Sequence, residues 1–213
     1  MEDIELLDLW RSYSQRLDAS LSLNKKNAAD ITHMKIQSLL RSMTPLKIFA
    51  IIAGLLWAGF LDVLVIRLFH AASPFFLVSM IIISLFNKLA IGIYGYQVIL
   101  IRQVDITEPV FATQEKLARL RSSTFWITRI LFLQMPFWTT FYWNGNMFDG
   151  SSPMRCALSV AITLAFTALA IWLFIHIRYE NREEKWFRFI FRGTEWTPVL
   201  KSMELLEEMK AYE

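Results

Sequence analysis

KIFAIIAGLLWAGFLDVLVI, residues 47–66, decides the fold. After its opening lysine only Asp62 is charged, and about 20 residues at ~1.5 Å each match the ~30 Å hydrocarbon core of a bilayer. Three more apolar stretches follow. They are 75–101, interrupted by Asn87 and Lys88, then 125–143 (FWITRILFLQMPFWTTFYW) and 157–177. The whole chain agrees, since 55% of its 213 residues are hydrophobic and 19% charged, against roughly 25% charged in soluble domains. Seven Gly and six Pro exclude collagen-like or linker-rich architecture. A single cysteine, Cys156, excludes an intramolecular disulfide framework or a Cys-based zinc site. The formal charge of +3 gives no argument for a nucleic-acid partner.

Orientation follows from Lys and Arg near the spans. Arg11, Arg16, Lys25, Lys26, Lys35 and Arg41 precede the first; Arg102, Lys116, Arg119 and Arg121 lie between the second and third. Arg178, Arg182, Lys185, Arg188, Arg192, Lys201 and Lys210 follow the fourth, and the other two loops carry only Arg67 and Arg155. Both termini and the middle loop are therefore expected in the cytoplasm, with their basic residues on anionic lipid head groups. Trp138, Tyr142 and Trp143 form an expected outer aromatic girdle, Trp126 and Trp186 an inner one. The opening segment has no basic stretch followed by an apolar run, so no cleaved signal peptide is expected.

The expected fold class is an all-α integral membrane protein: four transmembrane helices with amphipathic cytoplasmic helices at the N-terminus, middle loop and C-terminus. The segments are 1–45, a first hairpin 46–101, a loop helix 102–124, a second hairpin 125–177, and a tail 178–213. Leu6, Trp10, Tyr13, Leu17 and Leu21 recur at helical spacing, which predicts a long helix or a bent pair up to Thr44-Pro45. Residues 108–121 read as the loop helix, with Pro109 suited to its first turn. In the tail, WFRFIF (186–191) suits the inner interface. Thr197 reads as an N-cap, with Val199, Met203, Leu206 and Met209 on one face of the final helix. The stripes Leu6/Trp10/Tyr13/Leu17 and Val199/Met203/Leu206 are candidate faces for self-association in a homo-oligomer or for a cytoplasmic protein partner.

Within the spans, Ala50, Gly54, Ala58 and Asp62 share one face, as do Ser84, Lys88 and Gly92. Small residues at this spacing let helices approach and polar ones bond across the contact, so the two faces are expected to meet. Lys88 is near mid-span, where insertion costs roughly 2.5–3.5 kcal/mol. Counting from His70 at ~1.5 Å per residue, Asp62 lies roughly 10–12 Å from the turn and Lys88 about 25 Å, so a direct pair requires a shifted hairpin or a bridging group. Arg129 is placed to snorkel to the inner surface. Gln134 and Pro136 mark a kink, with Thr139 and Thr140 available to freed backbone groups. Asp62, Asn87, Lys88, Arg129 and Gln134 form the candidate intramembrane polar site, readable as an ion or proton path or as interhelical glue. LRSMT (40–44) and LRSST (120–124) each precede a span, the mark of either a duplicated helix-plus-hairpin unit or local convergence.

His33, His70 and His176 are far apart, and no HExxH, GxSxG, GxGxxG or Walker-type loop occurs. No catalytic residue, metal ligand or cofactor is assigned. The stretches LWRSYSQRLDASLSLN (9–24), TQEKLARLRSSTFWITRILFLQMPFWTTFYW (113–143) and GTEWTPVLKSMELLEEM (193–209) resemble an uncharacterised family of small four-span inner-membrane proteins of Bacteroidetes-type bacteria. The resemblance implies a bacterial inner-membrane location and assigns no activity. The expected function is a non-enzymatic, membrane-anchored interaction or regulatory protein. The alternative is an oligomeric channel or small transporter using Asp62 and Lys88.

Overall fold

The computed structural model describes residues 2–104, 110–147, 153–181, 183–191, 193 and 196–211, with side chains from residue 10 to 205 except at 110, 111 and 146. Its described residues are all-α. The first helix, α1 (Glu2–Leu68), runs without a break through Pro45 and is about 100 Å long at ~1.5 Å per residue. No boundary separates the polar arm from the first span. Proline ordinarily interrupts a helix by removing one hydrogen bond and crowding the preceding turn. Here neighbours brace both sides of that position: Met43 is buried among Leu100 and Leu120, and Lys47 is fully buried.

After a short turn, α2 (Pro74–Arg102) returns along α1. Ser73 caps it by accepting from the Phe76 amide at 3.2 Å and donates to the Trp143 carbonyl at 2.7 Å. The loop helix and the start of the third stretch form one helix, α3 (Val110–Leu133). It ends ahead of Gln134, and α4 (Met135–Thr140) continues after the break. Pro136 has no amide to donate. The Thr139 hydroxyl donates to the Pro136 carbonyl at 2.6 Å and stands 3.0 Å from the Thr163 hydroxyl, while Ser79 and Thr140 share a 2.9 Å hydrogen bond. The broken segment is thereby tied to α2 and to α5 (Pro153–His176). Among the described residues three helices are long and apolar enough to cross a membrane, α1, α2 and α5; the 125–143 stretch is divided between α3 and α4.

Beyond α5 come α6 (Lys185–Ile190) and α7 (Thr197–Ala211). Thr197 is the first helical residue of α7 rather than its cap, because its hydroxyl donates back to the Gly193 carbonyl at 3.0 Å. Three clusters hold the fold. Ile36, Leu40, Met43, Leu100, Leu117, Leu120 and Val199 join α1, α2, α3 and α7. Phe125, Leu173, Ile177, Phe187, Phe191 and Trp196 fasten α6 and the start of α7 to α3 and α5. Leu61, Met80 and Ile83 form the third, flanked by Phe76, Phe137 and Phe141. Leu40 and Leu120, the matching leucines of the two LRS segments, lie in the same cluster.

Val199, expected on a partner-facing stripe, is 2% exposed in the core, because α7 folds back onto α1 and α3. Met203 is half-buried. The side chains of Leu6 and Leu206, and residues 105–109 with Pro109, lie outside the described set.

Candidate functional site

The polar site is built on the α1–α2 contact. Gly54 brings the helices together: a Cβ there would stand 3.0 Å from Ile91 Cγ1. Ala58, one turn further on, is buried. One more turn reaches Asp62. Ser84 donates to Asp62 Oδ1 at 2.7 Å, Lys88 Nζ donates to the same oxygen at 2.9 Å, and the ammonium lies 2.8 Å from Oδ2.

The pair forms because the hairpin is shifted. Ser84, whose side chain is short, stands level with Asp62. Asp62 lies about 9 Å from the end of α1 and Ser84 about 15 Å from the start of α2, so α2 overhangs α1 by about one turn. Lys88 is then only one turn from the carboxylate. The antiparallel arrangement closes the remaining gap, since side chains lean toward their own helix N-terminus. Asp62 therefore leans away from the hairpin turn and Lys88 toward it.

This ion pair is not sealed. The Lys88 and Asp62 side chains keep 53% and 41% of their surface exposed. They line a groove of about 360 Å³ with Val65, Ile66, Ser84 and Leu85. Lys88 sits at the middle of the 29-residue α2, so the groove opens sideways midway along a helix long and apolar enough to cross a membrane.

The remaining candidates are dispersed. Asn87 donates to its own helix, at the Ile83 carbonyl, 2.8 Å away. Arg129 is half-buried; its Nε donates to the Ile177 carbonyl at 2.7 Å and so closes the C-terminal end of α5. Gln134 is at the α3–α4 break, and its Oε1 is buried with no hydrogen-bond partner among the described residues. None of the three joins Asp62 and Lys88.

A second polar layer, which sequence reading missed, lies nearer the other end of the same helix pair. Lys47 is fully buried. Its Nζ donates to Gln97 Oε1 at 2.5 Å and lies 5.0 Å from the centre of the Tyr94 ring. Gln97, also fully buried, donates onward to Ser123 Oγ at 3.2 Å. The available signal was the pairing of a lysine opening one span with a glutamine near the C-terminal end of the next.

Outside the spans, the Arg119 guanidinium donates to Glu115 at 2.7 Å, and that carboxylate holds it above its ordinary range. Among the described residues no group of three His, Cys, Asp or Glu side chains is placed to hold a metal ion. No protein-family model, curated protein or solved structure matches the chain.

Proposed function

We propose that this protein is an oligomeric membrane channel or small transporter in which Asp62, Ser84 and Lys88 line the path of an ion or a proton. The observation that carries the reading is the laterally open ion pair at mid-depth. A charged pair facing lipid costs several kcal/mol, and such residues face a bundle interior or water. In the proposed assembly, copies of the α1–α2 face surround the groove, which then becomes an aqueous or proton-conducting seam. Asp62 holds the cation or proton, Ser84 orients the carboxylate, and Lys88 supplies the countercharge that keeps the site neutral when empty. The proposal includes four spans, the fourth crossing being the α3–α4 segment. It also places both termini on the cytoplasmic side of a bacterial inner membrane, as the basic-residue distribution supports. It assigns no enzymatic step. Flux of protons or small ions in reconstituted liposomes tests the reading, with Lys88→Met and Asp62→Asn as site variants.

A second reading is a membrane-anchored interaction or regulatory protein. It is favoured by Trp10, Tyr13 and Leu17, which are 71%, 74% and 60% exposed on the α1 arm. Making these three residues polar should abolish partner binding while leaving insertion intact. Under the channel reading the same change leaves flux through the Asp62 site in place.

A further inference from the structure

Every residue of α1 from 10 to 28 is exposed, and although the exposed Leu21 and Leu23 lie off it, one row of residues follows a rule. From Leu6 the chain reads Leu6, Trp10, Tyr13, Leu17, Ser20, Asn24, Asn27, Ile31, Met34, in alternating steps of four and three. That is a 3.5-residue repeat, the spacing of a coiled-coil seam rather than of a helix lying on a globular body. Trp10, Leu17, Asn24 and Ile31 take the a positions. Ile31 and Met34 are still 48% and 49% exposed beside the folded body. At ~3.6 residues per turn this seam lies across the helix from His33, Ile36 and Leu40, which are the residues buried against the rest of the chain. From His33 on, one face of α1 is thus spent on the fold and the opposite face is bare, while from 10 to 28 the whole helix is exposed.

We infer that this bare face pairs with the same face of a second copy, as a parallel, in-register, two-stranded coiled coil over residues 6–34. Two copies anchored alike in one membrane present their arms in the same direction, which makes the pair parallel. Register is written in the charges. Asp30 falls at a g position and Lys35 at the following e position, so each Asp30 faces the other copy's Lys35, and the contact occurs twice by symmetry. Asn24 at an a position, between the polar d residues Ser20 and Asn27, meets its own symmetry mate, where a polar a residue specifies register and strand number at a cost in stability. Arg11, Asp18, Lys25 and Lys26 fall at b and c positions, away from the seam. The body of each copy lies on the far side of its own α1, clear of the contact.

The test uses the full chain in nanodiscs, carrying Cys156→Ser and one added cysteine. Leu17→Cys and Asn24→Cys probe the seam; Gln15→Cys and Ser22→Cys probe the far face. Disulfide-linked dimers should form at least tenfold faster at the two seam positions. Equal rates on both faces, or no dimer at either seam position, would overturn the inference. Register has its own check on the Leu17→Cys background. Asp30→Lys or Lys35→Asp alone should lower the cross-linking rate severalfold, and the two together should restore it to within about twofold. Failure of the double variant to recover would contradict the in-register pairing. The inference is independent of the ion path: cross-linking without flux overturns the channel reading alone, and flux without cross-linking overturns this one alone.

Discussion

Near one end of the α1–α2 pair, Lys47, Gln97 and Ser123 are enclosed by three helices; at mid-depth, Asp62, Ser84 and Lys88 are held by two and open to one side. Both layers put a lysine against an oxygen acceptor across the same helix contact. They differ in what closes them. Helix α3 brings Ser123 against Gln97, so the first layer is complete within one chain and acts as a structural clamp. The broken α3–α4 segment covers Leu61, Met80 and Ile83 through Phe137 and Phe141 but leaves the other side of Asp62 bare. A charge completed within its own chain stabilises a fold; one left half-open at membrane depth calls for a second molecule or for water.

The comparison can be broken at several points. The largest effect is expected from Gln97→Leu, which removes the Gln97 acceptor from the buried Lys47 ammonium. Losing a buried hydrogen bond to a charged group costs about 1.5–3 kcal/mol. Reversible unfolding in mixed micelles should show that loss, and a change under 1 kcal/mol would mean the inner layer is not a clamp. Gly54→Leu comes next. The added side chain collides with Ile91 between the two layers, and overpacking of this kind costs about 1–3 kcal/mol. Its loss should appear in the same assay together with a weakened Asp62–Lys88 contact. Lys88→Met should cost less, because the carboxylate it leaves behind keeps 41% of its side-chain surface exposed and its Ser84 hydrogen bond. A loss above 2 kcal/mol would make the outer pair structural as well. Ser84→Ala should cost the least, about 0.6 kcal/mol for one interhelical hydrogen bond. It separates orientation of the carboxylate from pairing with Lys88.

The stepwise spacing of Ala50, Gly54, Ala58 and Asp62 against Ser84 and Lys88 made the α1–α2 contact legible in the sequence, because close approach requires small residues at fixed intervals. The kink at Gln134 was legible for an equally local reason, the missing amide of Pro136. What escaped depends on packing between distant segments. The one-turn overhang that lets Lys88 reach Asp62 is set by the α1–α2 contact, not by turn length. Lys47 is in the sequence only the residue that opens the first span; Gln97 and Ser123, which close over it, lie on distant segments. Pro45 reads as a helix end, yet α1 continues through it where Met43 and Lys47 are gripped by neighbours. Val199 and Trp10 head similar amphipathic stripes, and only the fold shows that the first is buried within the chain and the second is not.

The outer layer's openness is the central point, and ion flux tests it most directly. Purified protein in liposomes should conduct protons or small ions, and Lys88→Met and Asp62→Asn should each change that flux at least tenfold, with Gln97→Glu as a folded comparison at the clamp. No flux above protein-free liposomes, or equal flux in the parent, Lys88→Met and Asp62→Asn, would contradict the account.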